Sequence, residues 1–385
     1  MAAFAGSNYY VDPGGGNDTT GDGSSGTPWA TVQKALDTIT RNTTNGDQIN
    51  IKAGTDLVLT QTWDPTTYGN ANFNAPCIFR GYTSASEDGG VATIDMDATY
   101  KVFDRTSDDG FTFIDLKFTN PPTDNNEFVI HTDNDCAYIN LEFQLDSKIG
   151  AISCGGTCAV VNCKFINYEN RCIDTDSANL FAYGNWMKEG STGSGRAISM
   201  GAQGSQYPKI AHNVISLAHT GSQGILYGGN SDGVIIHNTV YNSTAGVEYG
   251  INLSRDTKEL NGCTGNYIEG FSGVGGVGLR INAATDYAAL FIGGNRFYNN
   301  TTNFDTGAGT FRPHYYDEAE TSESSSMLTN PGSDDFTPSA ELLGFVDEFA
   351  SGINSRLQAG AMGLAGGGAS SLAFINTRRN AMIGR

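Results

Sequence analysis

The chain has 385 residues and a net charge of −19, so it would repel a phosphate backbone or an anionic membrane surface, and neither is expected as a partner. Hydrophobic residues make up 38% and charged residues 16%, while glycine reaches 50 residues, about twice its usual share; that mixture suits short strands joined by tight polar turns. No run of 18 apolar residues exists, which excludes a transmembrane helix, and the opening MAAFAGSNYYVDPGGG lacks the basic and apolar regions of a signal peptide, so a protein made in a cytoplasm is expected.

In chain order, residues 1–48 read as a cap. Thr27 is the expected N-cap of a short helix, with Pro28 in its first turn. Val32, Leu36 and Ile39 would share one face of that helix, which would plug the open end of the strand-rich region after it. The first strand is expected at Ile49-Asn50-Ile51. From there to residue 300 the sequence repeats itself. One column runs Leu116-x-Phe118, Leu141-x-Phe143, Cys163-x-Phe165, Asn185-x-Met187, Asn213-x-Ile215, Asn238-x-Val240, Asn266-x-Ile268 and Asn295-x-Phe297, at spacings of 22 to 29 residues. A second column, Ile130, Ile152, Ile173, Ile198, Ile225, Ile251 and Leu279, keeps the same period at 21 to 28 residues.

Two columns sharing one period predict a solenoid. A repeat of two or three short strands cannot bury its own apolar face, so repeats must stack, about 4.8 Å apart, with like residues above like. The expected fold is an all-β parallel β-helix. Asn185, Asn213, Asn238, Asn266 and Asn295 would then form an asparagine ladder, each side-chain amide donating along the stack at a buried turn. Residues 301–358 lose the period and read as closing turns; 359–385 read as a glycine-hinged tail.

The run YYVDPGGGNDTTGDGSSGTPWATVQKAL, then GDQINIKAG, then rungs such as VIIHNTVYNSTAGVEYGINL, resembles the pectin-lyase-like superfamily of right-handed β-helix proteins over roughly residues 8–360. The opening segment is similar to the N-terminal cap of bacterial and phage members. The resemblance implies a right-handed coil, but it does not choose among the lyases, hydrolases, epimerases, adhesins and virion proteins built on that fold. Lyases of the fold use Ca²⁺ with an Arg or Lys base, and polygalacturonase-like hydrolases use G-H-G and R-I-K motifs. No Gly-His-Gly occurs, and Arg280-Ile281-Asn282 only brushes the second motif, so no catalytic residue carries over.

Read from the residues alone, Asp174 and Asp176 are the candidate catalytic pair. They follow an inward Ile173, share a strand face about 6.6 Å apart, and have Ser153, Gly155, Ser199 and Gly201 beside them and His131 and Asp133 two rungs away. That separation touches the range of inverting glycosidases. Asp12, Asp18 and Asp22 lie in a glycine-rich loop of the kind Ca²⁺ favours, and no other cofactor is expected. His212 and His237 each precede a ladder asparagine and would stack. The seven cysteines, with no C-x-x-C among them, read as buried free thiols. In the tail, Phe374, Arg378, Arg379 and Arg385 are candidate attachment residues: the tail carries three basic and no acidic side chains, against 19 basic and 41 acidic in the rest of the chain.

Taken together, a rod without a recognisable catalytic motif and with an appended basic tail points to a virion-surface structural protein. It would be a capsid decoration (cement) protein or a tail fibre or spike, homotrimeric, held to a capsid or tail protein through its tail. The alternatives are a polysaccharide lyase or glycoside hydrolase acting on an acidic glycan, and an adhesin that binds a surface glycan without cleaving it.

Overall fold

The computed structural model describes residues 4–338, except 70, 72–74, 106–109, 124–126, 134, 147–148, 176–178, 194, 202–207, 229–232, 245–248, 255–261, 283–290, 307–314, 317–320 and 332–334. It is a parallel β-solenoid. Three sheets run its length: sheet I with 12 strands, sheet II with 11 and sheet III with 9. One rung shows the path: Cys158–Val161 in sheet I, a corner at Asn162, Lys164–Tyr168 in sheet II, Arg171–Thr175 in sheet III, and then Leu180–Tyr183 back in sheet I beside the first strand.

The two sequence columns are cross-strand registers. In sheet II, Phe118, Phe143, Phe165, Met187, Ile215, Val240, Ile268 and Phe297 stand in line. In sheet III, Ile130 through Leu279 do the same, continued by Phe103 at one end and Phe304 at the other. The sheet II residues are fully buried, with Phe118, Phe143 and Phe165 stacked at ring separations of 4.8 and 5.1 Å. Each such side chain contributes roughly 1.5–3 kcal/mol of burial, which is why the period survives while the turn lengths drift. Sheet I supplies a third column, Ile49, Phe79, Phe113, Tyr138, Val160, Ala182, Ile210, Ile235, Cys263 and Ile292. Its residue types change too much from rung to rung to be seen as a repeat.

The corner between sheets I and II is a single residue with positive φ. Asp115, Asn140, Asn162, Gly184, His212, His237, Gly265 and Gly294 all lie between φ 53 and 67. Only glycine and short polar side chains enter this region readily, with Asn, Asp and His enriched among the rest. The next residue turns inward, and from Asn185 onward it is the ladder. Asn185 Nδ2 donates to Asn213 Oδ1 at 2.9 Å, and the same bond links Asn213 to Asn238, Asn238 to Asn266 and Asn266 to Asn295 at 2.9–3.0 Å. Each Nδ2 also donates to a sheet I carbonyl such as Val160 or Ala182, and each Oδ1 also accepts the backbone N–H of the preceding rung.

The cap differs from the sequence expectation. Its helix is Val32–Thr38, with Thr31 and not Thr27 as N-cap, and Ile39 closes it. The reason is Asp18. Its carboxylate accepts from Ala30 N, Thr31 N and Thr31 Oγ1 at 2.7–3.1 Å and so fixes the entry to the helix. Thr27 instead hydrogen-bonds Asp22 within a turn. Val32, Ala35 and Leu36 are buried in the core with Val11 and Trp29. Sheet I also begins earlier than Ile49, because Ser7–Val11 pairs in parallel with Asp47–Lys52. At the far end the sheets run on past residue 300, through Thr302–Asp305, Tyr315–Tyr316 and Thr321–Ser322. The chain then forms an antiparallel hairpin, Leu328–Asn330 with Asp335–Pro338, whose Met327 and Leu328 pack on Val214 and Tyr267 outside sheet II. The tail, with Phe374, Arg378, Arg379 and Arg385, lies outside the described residues.

Candidate functional site on the outer face of sheet III

Inward residues of sheet III fill the core, so its alternate residues face outward in two columns. Register places Asp104, His131, Ser153, Asp174, Ser199, Leu226, Asn252, Arg280 and Asp305 in one line. Three positions earlier on the same strands lie Phe128, Gly150, Arg171, Arg196, Gln223 and Tyr249.

The densest cluster sits near the N-terminal end. His131 Nδ1 is 3.2 Å from Asp104 Oδ1, and its Nε2 is 3.1 Å from Asp133 Oδ1. Asp104 is held in turn by Lys101, which also reaches Glu127 at 2.8 Å. Burial opposes ionisation of Asp104, but the Lys101 hydrogen bond and charge, and then His131, hold its carboxyl below the usual range. Burial likewise opposes the charge on Lys101, and its two carboxylates overcome that and raise its pKa. A neutral imidazole can donate from one nitrogen only. This ring presents both of its nitrogens to carboxylate oxygens. All of the group is part-exposed, with 30% of the His131 side chain open. One rung on, Gly155 lets Asp133 approach, since a Cβ there would sit 2.4 Å from the Asp133 carbonyl oxygen.

Asp174 lies two rungs from His131, between Ser153 and Ser199 as its position implied. Its carboxylate is not open toward a second acid: Arg171 holds it at 2.5 Å, and only 8% of its side chain is exposed. Asp176, the other member of the pair expected from the sequence, falls outside the described residues. Sequence reasoning named His131 and Asp133 only as neighbours and missed Asp104, Lys101 and Glu127. Extending the isoleucine column back one period, from Ile130 to Phe103, would have put Asp104 beside His131.

The remaining candidates have local duties. Asp12 accepts from Gly14 N and Gly15 N and pairs with Lys52 at 2.7 Å, Asp18 holds the chain at the entry to the helix, and Asp22 closes its own turn. Among the described residues no group of three or more His, Cys, Asp or Glu is placed to hold a metal ion, and the three aspartates each serve a separate local contact. His212 and His237 occupy corner positions, edge to face at 5.2 Å, with Tyr183 against His212 at 5.1 Å. Burial, and then the charge of His237, push His212 down to about 4, and burial lowers His237. All seven cysteines are buried, with no disulfide between them. Glu189 is one of several buried carboxylates that escaped the sequence. Glu189 accepts from Gly195 N, Ala218 N and His219 N at 2.7–3.0 Å and from Ser222 Oγ. Burial raises its pKa against those bonds, and it pins the turns between sheets II and III.

No family model matches this sequence, and no curated protein matches it. Solved structures similar to it include the GH136 lacto-N-biosidase from Eubacterium ramulus, at 11% identity and a TM-score of 0.49 over 81% of this chain and 68% of that one. A rhamnogalacturonan lyase is similar at 13% identity and a TM-score of 0.38, over 83% of this chain and 87% of that one. XylC in complex with xylose is similar at 8% identity and a TM-score of 0.43, over 81% and 87%. At these identities the likeness is one of fold; what the chain does has to be read from its own residues.

Proposed function

We propose that this protein is a glycan depolymerase that lays its substrate along the outer face of sheet III and transfers protons through the Asp104–His131–Asp133 group. The observation that carries the reading is the imidazole with a carboxylate on each ring nitrogen, at 3.2 and 3.1 Å, on an accessible strand face. Asp104, itself held by Lys101, fixes the ring through Nδ1, as an orienting carboxylate does in a base–orienter pair. The proton between Nε2 and Asp133 is then the one available to a glycosidic oxygen or a sugar C–H. The same face offers Ser153, Ser199, Gln223 and Asn252 as hydrogen-bonding side chains and Phe128 and Tyr249 as rings, a mixture suited to sugars.

The virion-surface role expected from the sequence rests on the missing catalytic motif, the lack of a signal peptide and the basic tail, and that tail lies outside the described residues. Incubation with a panel of neutral and acidic polysaccharides tests the proposal. Release of reducing ends, or of unsaturated products if cleavage is by elimination, is expected, falling by about 10²-fold or more in His131→Gln. No product from any glycan, or full activity in that variant, overturns it.

A further inference from the structure

Lys101 does not touch His131, yet it is tied to the carboxylate that does. Its side chain is 20% exposed, low for a lysine, and its ammonium lies between two acids: Asp104, through Oδ2, and Glu127 on the next rung, through Oε2 at 2.8 Å. The other oxygen of Asp104, Oδ1, is the one that meets Nδ1 of His131. The ammonium and the imidazole therefore divide one carboxylate between them. The ring's other neighbours are Asp133 at Nε2 and, as register partner on the far side, the uncharged Ser153.

The bridge is held from both ends. Val102 N donates to Val129 O at 2.9 Å and Val102 O accepts from Trp63 N at 3.1 Å, so the backbone beside Lys101 is pinned to a rung on either side. Glu127 O accepts from Gly150 N at 2.9 Å, which fixes the other end. A carboxylate free on a strand face can turn about its last bond and offer either oxygen. With Oδ2 engaged by an ammonium, Oδ1 is the oxygen left for the ring. Which nitrogen of an imidazole carries the proton follows from the hydrogen bond that the other makes, and a nearby positive charge disfavours a second proton on the ring.

We infer that Lys101 is a positioning residue for His131: it sets which oxygen of Asp104 the ring meets and how readily the ring takes its second proton. The inference rests on the reading of Asp104–His131–Asp133 as the proton-transfer group and adds the residue that governs it. The test is an NMR titration of His131 in the full chain, with isotope-labelled histidine rings and no glycan present, the signal being assigned by its loss in His131→Gln. In Lys101→Met the midpoint should rise by about half a pH unit or more, and in Lys101→Gln by a similar amount. Lys101→Arg, which can still bridge the two carboxylates, should stay near the parent chain. On a glycan that the parent chain cleaves, Lys101→Met should lower kcat by about tenfold and leave KM little changed, because the ammonium is already engaged by two acids. A midpoint unchanged or lowered in Lys101→Met and Lys101→Gln overturns the role. So does a rise in Lys101→Arg as large as that in Lys101→Met, or an effect on KM alone. Should Lys101→Met fail to fold, Lys101→Gln carries the titration. Since the titration needs no substrate, a failure to cleave any glycan removes the depolymerase reading, while the part played by Lys101 stands or falls on the midpoint.

Discussion

His212 makes the folded protein sensitive to acid, and the size of the effect comes from its place. The residue is 4% exposed, its Nε2 has no hydrogen-bond partner, and His237 lies 5.2 Å away. Burial, then the neighbouring ring, bring its pKa to about 4 from an ordinary 6.5. Between those values the unfolded chain binds a proton that the folded chain refuses. Stability therefore falls as pH drops from about 6.5 and stops falling on this account below about 4. At 1.36 kcal/mol per unit the loss is on the order of 3 kcal/mol, and His237, lowered by burial, adds to it in the same direction. Buried Glu189, Glu269 and Asp115 are raised, chiefly by burial, so they oppose the trend. The clean measure is thus a difference. Asparagine also tolerates positive φ and does not titrate, so His212→Asn keeps the corner and removes the proton. In denaturant titrations between pH 7 and pH 4, this variant should lose about 3 kcal/mol less than the parent chain. Parallel pH curves for the two proteins would refute the assignment of a buried neutral imidazole.

The ladder should be intolerant of interruption: Asn238→Leu takes the acceptor from one Asn213 Nδ2 hydrogen and from the Asn213 backbone N–H, and a donor from the Ile210 carbonyl, and should destabilise by on the order of 3 kcal/mol or more in the same titration. Gly265→Ala meets two obstacles, a φ of +64 and a Cβ only 2.3 Å from the His237 ring; a loss of roughly 1–3 kcal/mol is expected, whereas Gly54→Ala, with φ +101 but nothing within 4 Å, should lose less. Glu189→Gln keeps the shape but turns an acceptor toward donors into a mixed group; amide exchange at Gly195, Ala218 and His219 should accelerate, and unchanged protection there would show that the turns hold without the carboxylate.

The core of this fold could be read from the chain because burial repeats. A residue stacked on its own kind, such as Ile152 on Ile173, must stay apolar and leaves a period behind. Sheet I escaped because Tyr138, Val160 and Ala182 fill the same line with different volumes. The cap helix was misplaced by four residues because its start is set by Asp18, 13 positions before Thr31, and a local capping pattern carries no trace of that contact. The site was half visible. His131 and Asp133 lie two apart on one strand, but Asp104 joins them only through register, 27 residues upstream. Asp174 looked available for chemistry, and its tie to Arg171 could not be told from a bare spacing of three.

The asparagine run has a direction, and that restricts how such a rod can change length. Each amide passes its hydrogen to the next rung and receives one from the rung before. A member lost from the middle leaves loose ends on both sides; a member lost from a terminus leaves one. The upstream terminus is already finished, since the Oδ1 of Asn185 is met by the backbone N–H of Cys163 and asks nothing of its side chain. Whole rungs could thus be gained or shed at that junction, with cysteine or leucine corners on one side and asparagine corners on the other, while an insertion inside the run would have to bring its own asparagine.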